Sequence, residues 1–183
     1  MATDRMRALE DGIKQFIKPE MIAQSFSYDS STRTFRRPCR ECTQIVNFQA
    51  GVRTMAGKFT VNLGVFHPQY REVAAAEVQP DPPREFDCLM KFRRRLSALR
   101  YTPLTRFFQS RIHNTDSFLK WWLVTPTDKW WPFSPDESQV ANQLSSVREL
   151  LFSKGLDWLN RNSDVTLLRA AHEKLKSHAK VIT

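Results

Sequence analysis

The chain has 183 residues, 41% hydrophobic and 26% charged, proportions of a globular protein and not of a disordered one. Five Gly against 13 Phe and 5 Trp point to an aromatic-rich core and away from a glycine-loop nucleotide binder. The net charge of +9 is concentrated: seven basic residues and no acidic one lie between Asp87 and Asp116, and Arg33, Arg36, Arg37 and Arg40 fill a second acid-free stretch.

Met6, Leu9, Ile13 and Phe16 recur at helical spacing, with Thr3 as N-cap and Lys18-Pro19 as the expected stop. This segment lacks an apolar core of secretory length, and no run approaches the roughly 20 apolar residues of a membrane span. A cytoplasmic chain without membrane contact is expected. Residues 21–31 read as a connection, Thr32–Arg37 as a first strand with Phe35 inward, and Pro38–Glu41 as a turn. Cys39 and Cys42 have the spacing of half a zinc site or of a redox pair. They lie between two strands, away from any helix N-terminus, and Cys88 and the four histidines lack matching ligand spacing. The expectation is an ordinary turn pair, with no disulfide framework, no metal and no cofactor.

The central stretch is a hairpin. In Lys58–Phe66, Phe59, Val61, Leu63 and Val65 alternate with Thr60, Asn62 and Gly64, the period of a half-buried strand. In Thr43–Ala50, Val46 and Phe48 alternate with Asn47 and Gln49, although Ile45 falls on the polar side. Gly51 to Gly57 is the loop.

Residues 67–85 hold four prolines and an Ala-rich piece, Glu72–Val78, and read as an inserted loop with a helical turn. Phe86–Arg100 has two readings. As a helix it aligns Leu89, Phe92, Leu96 and Leu99; as a strand it puts arginine on both faces. Residues 101–127 are irregular and aromatic, and Trp130–Phe133 is a short closing strand. Ser134-Pro135-Asp136-Glu137 is a capping box that starts a helix with Val140, Leu144, Val147 and Leu151 inward, stopped at Lys154-Gly155. Leu156–Leu159 adds a turn, and Ser163 or Asp164 caps a last helix with Leu168, Ala171 and Leu175 inward. The organisation expected is one domain over 1–183, with insertions at 67–85 and 101–127 and helices over 134–180.

Several of these segments, Phe35-Arg-Arg37, Gln44–Gln49, Lys58–Val65, Asp128-Lys-Trp-Trp131 and Gly155–Leu159, occur in an order that resembles the bacterial domain-of-unknown-function family 4304, DUF4304. The similarity runs from about Arg5 to Asn160. It implies an α+β domain: a helix, a small antiparallel sheet of about four to five strands, then C-terminal helices. It also implies that Cys88–Leu99 is a strand, which would put the two basic segments on neighbouring strands. It brings no established activity and no catalytic residues.

Three groups of residues have the chemistry of a site. Arg93, Arg94, Arg95, Arg100, Arg106 and Arg111, interleaved with Tyr101, Phe107 and Phe108, suit phosphates and stacked bases, an acidic protein surface, or plain solvent. Two tryptophan pairs, Trp121-Trp122 and Trp130-Trp131, stand close together. Adjacent strand residues point to opposite faces, so at least one of each pair is expected at a surface, another element or a partner, the alternative being burial under the insertion. Asn47, Gln49 and Asn62 form a polar row able to hydrogen-bond a ligand, or else a satisfied polar layer under the C-terminal helices or a row facing water. No nucleophile elbow, P-loop, HExxH or paired-carboxylate motif is present. The sequence therefore points to a non-catalytic domain acting through protein–protein contact, with nucleic-acid binding through Arg93–Arg111 as the alternative. The family's character suggests a bacterial defence or toxin–antitoxin setting.

Overall fold

The computed structural model describes residues 2–70, 81–100, 130–133 and 136–164. Among these residues, two helical stretches lie on one face of a six-stranded antiparallel sheet, so the fold is α+β.

The first stretch is α1 (Ala2–Gly12), a wider π-type turn at Ile13–Ile17, and α2 (Lys18–Ala23). Leu9, Ile13, Ile17 and Met21 stand four residues apart and are all fully buried. In an unbroken α-helix such a row would drift by about 40° at each step. The wider turn resets the phase and keeps all four on the sheet. Pro19 therefore does not stop the helix; it stands in the first turn of α2, where no N–H is needed. Thr3 lies inside α1, within the usual latitude of a helix end.

The second stretch repeats this plan: α3 (Glu137–Leu150), a wider turn at Leu151–Gly155, and α4 (Leu156–Asn162). Val140, Leu144, Val147 and Leu151 are buried as the sequence predicts. The expected stop at Lys154-Gly155 is absent. A Cβ on Gly155 would lie 2.9 Å from Leu151 Cδ1 and 3.0 Å from Leu96 Cδ1, so this glycine serves close packing. Asp136 caps α3 in place of Ser134, its carboxylate accepting the Ser138 N–H at 3.0 Å. Aspartate caps as well as serine, and its charge also suits the positive end of the helix. Ser134, Pro135, Leu168, Ala171 and Leu175 lie outside the described residues, as do Glu72–Val78 and 101–127.

The sheet runs β1 (Ser27–Asp29), β2 (Thr34–Cys39), β3 (Cys42–Ala50), β4 (Lys58–Phe66) and β5 (Arg93–Arg95), with β6 (Trp131–Pro132) on the far end of β4. The two strands of the hairpin are adjacent and antiparallel as expected, in a register from Thr43 opposite Phe66 to Ala50 opposite Phe59. Tyr28, Phe35, Phe48, Phe59 and Trp131 form a line of rings across five strands, with neighbouring centroids 4.4, 6.0, 6.3 and 5.8 Å apart. Tyr28 shows why the expected connection over 21–31 contains a strand: its ring packs on Phe35, its partner in the register.

Three expectations are corrected here. Phe86–Arg100 is neither one helix nor one long strand: 3-10 turns at Glu85–Asp87, Met90–Phe92 and Leu96–Arg100 surround the three residues of β5. Phe92, Leu96 and Leu99 are nevertheless buried, because 3-10 turns bring residues three apart onto one side. The two basic segments are not on neighbouring strands, since β3 and β4 separate β2 from β5. Cys39 and Cys42 face each other across a two-residue turn, Cα atoms 5.0 Å apart, and are joined as a disulfide.

The sheet face turned away from the helices has its own small cluster of Ile45, Phe66 and Cys88. This accounts for Ile45 on the polar side of its strand.

Candidate cleft on the outer face of the sheet

Strand register assembles the site. Asn62 lies opposite Asn47 on one side and Arg95 on the other, and Gly64 lies opposite Arg93. The polar row of the hairpin and two of the three consecutive arginines therefore share the outer face. The turns Glu85–Asp87 and Met90–Phe92 rise beside them and enclose a cleft of about 450 Å3. Gln49, Asn62 and Arg93–Arg95 form one wall; Glu85, Phe86 and Met90 form the other.

Each side chain has a local cause for its position. The Asp87 carboxylate accepts the Arg84 N–H at 2.7 Å and closes the first turn. Phe86, held out beside it, is 55% exposed, with the Arg84 guanidinium 5.6 Å from its ring centre. Met90 is 75% exposed. Apolar side chains this open are two of four on the described surface, and both border the cleft. Asn62 donates to Gln49 Oε1 at 2.9 Å, so the Gln49 amide N–H groups and the Asn62 carbonyl oxygen keep their bonding capacity. The Arg95 guanidinium lies 5.2 Å from the Trp130 ring centre, a cation–π contact. Burial pushes the Arg95 pKa down from its ordinary value.

The described arginines divide by their bonds. Arg36 bonds Pro83 O at 2.8 Å and Asp29 at 3.3 Å. Arg37 bonds Gln44, the Gln24 carbonyl and Asn160. Arg148 pairs with Glu20, and Arg161 with Asp157. Arg93 is half-buried but, among the described residues, pairs with no carboxylate and bonds no oxygen; its one side-chain hydrogen bond is to the Met90 sulfur at 3.8 Å, a weak acceptor. The exposed Arg7, Arg40 and Arg53 also have no carboxylate partner there.

The other predicted residues are distributed as follows. Arg100 donates to Ser146 of α3 at 3.1 Å and does not line the cleft. Trp131, in β6, is fully buried against Phe59, while Trp130, just before the strand, is half-buried beside Arg95. Asn47 is committed to the fold, donating to Thr32 O at 3.0 Å and Thr34 Oγ1 at 2.9 Å. Tyr101, Arg106, Phe107, Phe108, Arg111, Trp121 and Trp122 lie outside the described residues. Sequence reasoning missed Glu85, Phe86 and Met90. The one signal was that Met90 stands outside the Leu89, Phe92, Leu96, Leu99 spacing.

No histidine, cysteine, serine or threonine is among the described residues of the cleft wall, whose one carboxylate is Glu85. Cys88, behind the wall, is buried, and its thiol pKa is pushed up to about 12. At neutral pH it is a protonated, inert thiol. The described wall offers cations, amides, one carboxylate and an apolar rim.

The family model of a domain of unknown function, DUF4304, matches residues 19–161. The chain belongs to the DUF4304 family. The match begins at residue 19 rather than near Arg5, so the whole sheet and the cleft fall inside the DUF4304 span while α1 precedes it. No curated protein and no solved structure matches the chain.

Proposed function

We propose that this DUF4304 protein is a non-catalytic protein-binding domain whose outer-sheet cleft receives an acidic, partly apolar surface of a partner. The observation that carries this reading is Arg93, a half-buried cation without a carboxylate among the described residues, beside the exposed Phe86 and Met90. Arginine and large apolar side chains are the usual anchors of protein interfaces.

The nucleic-acid alternative draws less support. A backbone-tracking groove needs cations in a continuous run, but three strand spacings, about 14 Å, separate β2 from β5. Arg36 and Arg37 are also spent on internal bonds, and the Glu85 carboxylate lines the cleft.

The test is co-purification of the tagged full chain with and without nuclease, comparing wild type, Arg93→Glu, Phe86→Asp and, as a surface control, Arg161→Ala. The expected result is one protein species that survives nuclease and is lost from both cleft variants but not from the control. Nucleic acid on the wild type, released by about 0.2 M salt and absent from Arg93→Glu, overturns the reading.

A further inference from the structure

We infer that the cleft takes a peptide segment of mixed charge, one acidic and one basic side chain together with an apolar neighbour. This rests on the protein-binding reading above and adds a cationic group to the acidic one that Arg93 receives.

Glu85 and Arg93 reach the cleft from two sides of one residue. Gly64 stands opposite Arg93 in the strand pair, and a Cβ on it would lie 3.3 Å from the Glu85 Cα. Both charged residues line the cleft and both are half-buried. Yet no ion pair joins them. Among the described residues the Glu85 carboxylate accepts no hydrogen bond, and Arg93 bonds only the Met90 sulfur. Arg94 and Arg95 also line the cleft but have interactions of their own, so the unspent charges are one of each sign. Half-burial removes part of the hydration of each group. A ligand group of opposite sign therefore gains more there than on an open surface.

A ligand of one sign satisfies one of these groups and is repelled by the other. An all-acidic segment meets Glu85, and an all-basic one meets Arg93. A segment of both signs answers both. Gln49 offers amide donors and Asn62 a carbonyl acceptor, which together match the C=O and N–H of one peptide unit. Phe86 and Met90 add an apolar wall, and the volume of about 450 Å3 holds a few side chains. A free amino acid has both charges but no peptide unit, so the occupant is a peptide segment. In an extended chain neighbouring side chains point to opposite sides. Adjacent acidic and basic residues then turn one to the wall of Arg93 and the other to the wall of Glu85.

The probe is the synthetic peptide acetyl-Ser-Leu-Glu-Lys-Ser-Leu-Ser-amide, compared with its Glu→Gln twin, its Lys→Gln twin and free leucine. Binding is read by two-dimensional NMR of the isotope-labelled full chain at about 50 mM salt, where ion pairs are only partly screened. The mixed peptide should shift the side-chain amide signals of Gln49 and Asn62, with an affinity about fivefold or more above that of either twin. Glu85→Gln should cancel the advantage given by the peptide's lysine and leave that of its glutamate. Arg93→Gln should do the reverse, each variant keeping its amide spectrum otherwise. A Lys→Gln twin that binds as tightly as the mixed peptide makes the ligand acidic only and overturns the inference. So do equal shifts from free leucine, or no shifts at millimolar peptide. Urea melts decide whether the two charges serve each other instead. The double variant Glu85→Gln/Arg93→Gln should move the midpoint by the sum of the single shifts, and a double variant no different from either single overturns the inference. If a protein partner is still lost from Arg93→Glu in the co-purification, the binding domain stands and only the mixed-charge inference falls. Nucleic acid on the wild type in that experiment, absent from Arg93→Glu, overturns both.

Discussion

A Cβ atom on Gly64 would lie 2.8 Å from the Cys88 sulfur and 3.3 Å from the Glu85 Cα. The turn that forms the apolar wall of the cleft therefore rests directly on β4, and only glycine leaves it room. Gly64→Ala should cost about 1–3 kcal/mol, the usual range for overpacking. Part of the strain comes from the sulfur. In the double variant with Cys88→Ala the cost should be less than the sum of the two single changes. Urea melts of the four proteins measure this, and strict additivity would show that residues 85–88 do not sit on Gly64.

Leu63 is fully buried on the helix side of the same strand, opposite Val46 and Arg94. Leu63→Ala should destabilise the protein by about 2–5 kcal/mol. A denaturation midpoint that hardly moves would mean that this face carries no packed core.

The hairpin was legible because its period-two pattern separates a packed face from a polar one, and a slip of one residue would expose Phe59, Val61, Leu63 and Val65 together. The buried stripes of the helices were legible for the same reason. Their ends were not. Pro19 and Gly155 are ordinary stop signals, but each lies at a wider turn that keeps a four-residue spacing in phase. The cleft was half visible: Gln49, Asn62 and Arg93–Arg95 were singled out, but as separate groups. What joins them is the pairing of β5 with β4, a contact between segments about 30 residues apart that no local pattern encodes. Glu85, Phe86 and Met90 enter only through that pairing.

The bond between Cys39 and Cys42 closes a loop with two residues between the cysteines. In the chain-entropy account so short a loop is worth about 2 kcal/mol at most. Reductant should lower the melting temperature of the wild type by about 4–8 °C at the upper limit and leave Cys39→Ser unchanged. A chelator should affect neither. A wild type that is indifferent to reductant would show that the link contributes nothing.

His67 is buried under the Phe92 ring, centroids 4.8 Å apart, with Nε2 3.0 Å from the Asn162 carbonyl. Desolvation disfavours its charged form and Lys91 adds to this, so the folded pKa lies below 6.5 despite the opposing bond to Asn162. The unfolded chain then takes up the proton first. Stability should be full above pH 6.5 and should fall as the pH drops through that value toward the folded pKa. His67→Gln should flatten the profile between pH 7 and the folded pKa. Asp29, whose carboxyl is held low by hydrogen bonds from Ser31 and Thr32, contributes stability that is lost only as the pH falls below its ordinary 3.8, and the His67→Gln variant retains that loss. Urea melts at half-unit steps in pH decide it, and an unchanged slope in the variant removes His67 as the cause.

Arg37 and Arg93 should separate structure from binding. Arg37 donates to Gln44 Oε1 at 2.9 and 2.6 Å, to the Gln24 carbonyl at 3.0 Å and to Asn160 at 2.7 Å. Its guanidinium also lies 4.6 Å from the Phe26 ring centre. It thus ties β2 to β3 and α4, and Gln44 itself is 2% exposed. Arg37→Ala should cost about 2 kcal/mol or more, since charged hydrogen bonds are lost and a buried acceptor is left behind. Arg93 bonds only a thioether among the described residues, so Arg93→Ala should change stability by no more than about 0.5 kcal/mol. Both variants lose one positive charge, so a general effect of net charge would move them together. If Arg93→Ala instead destabilises the protein as much as Arg37→Ala, Arg93 is a structural residue. The cleft would then lose the observation on which its binding role rests.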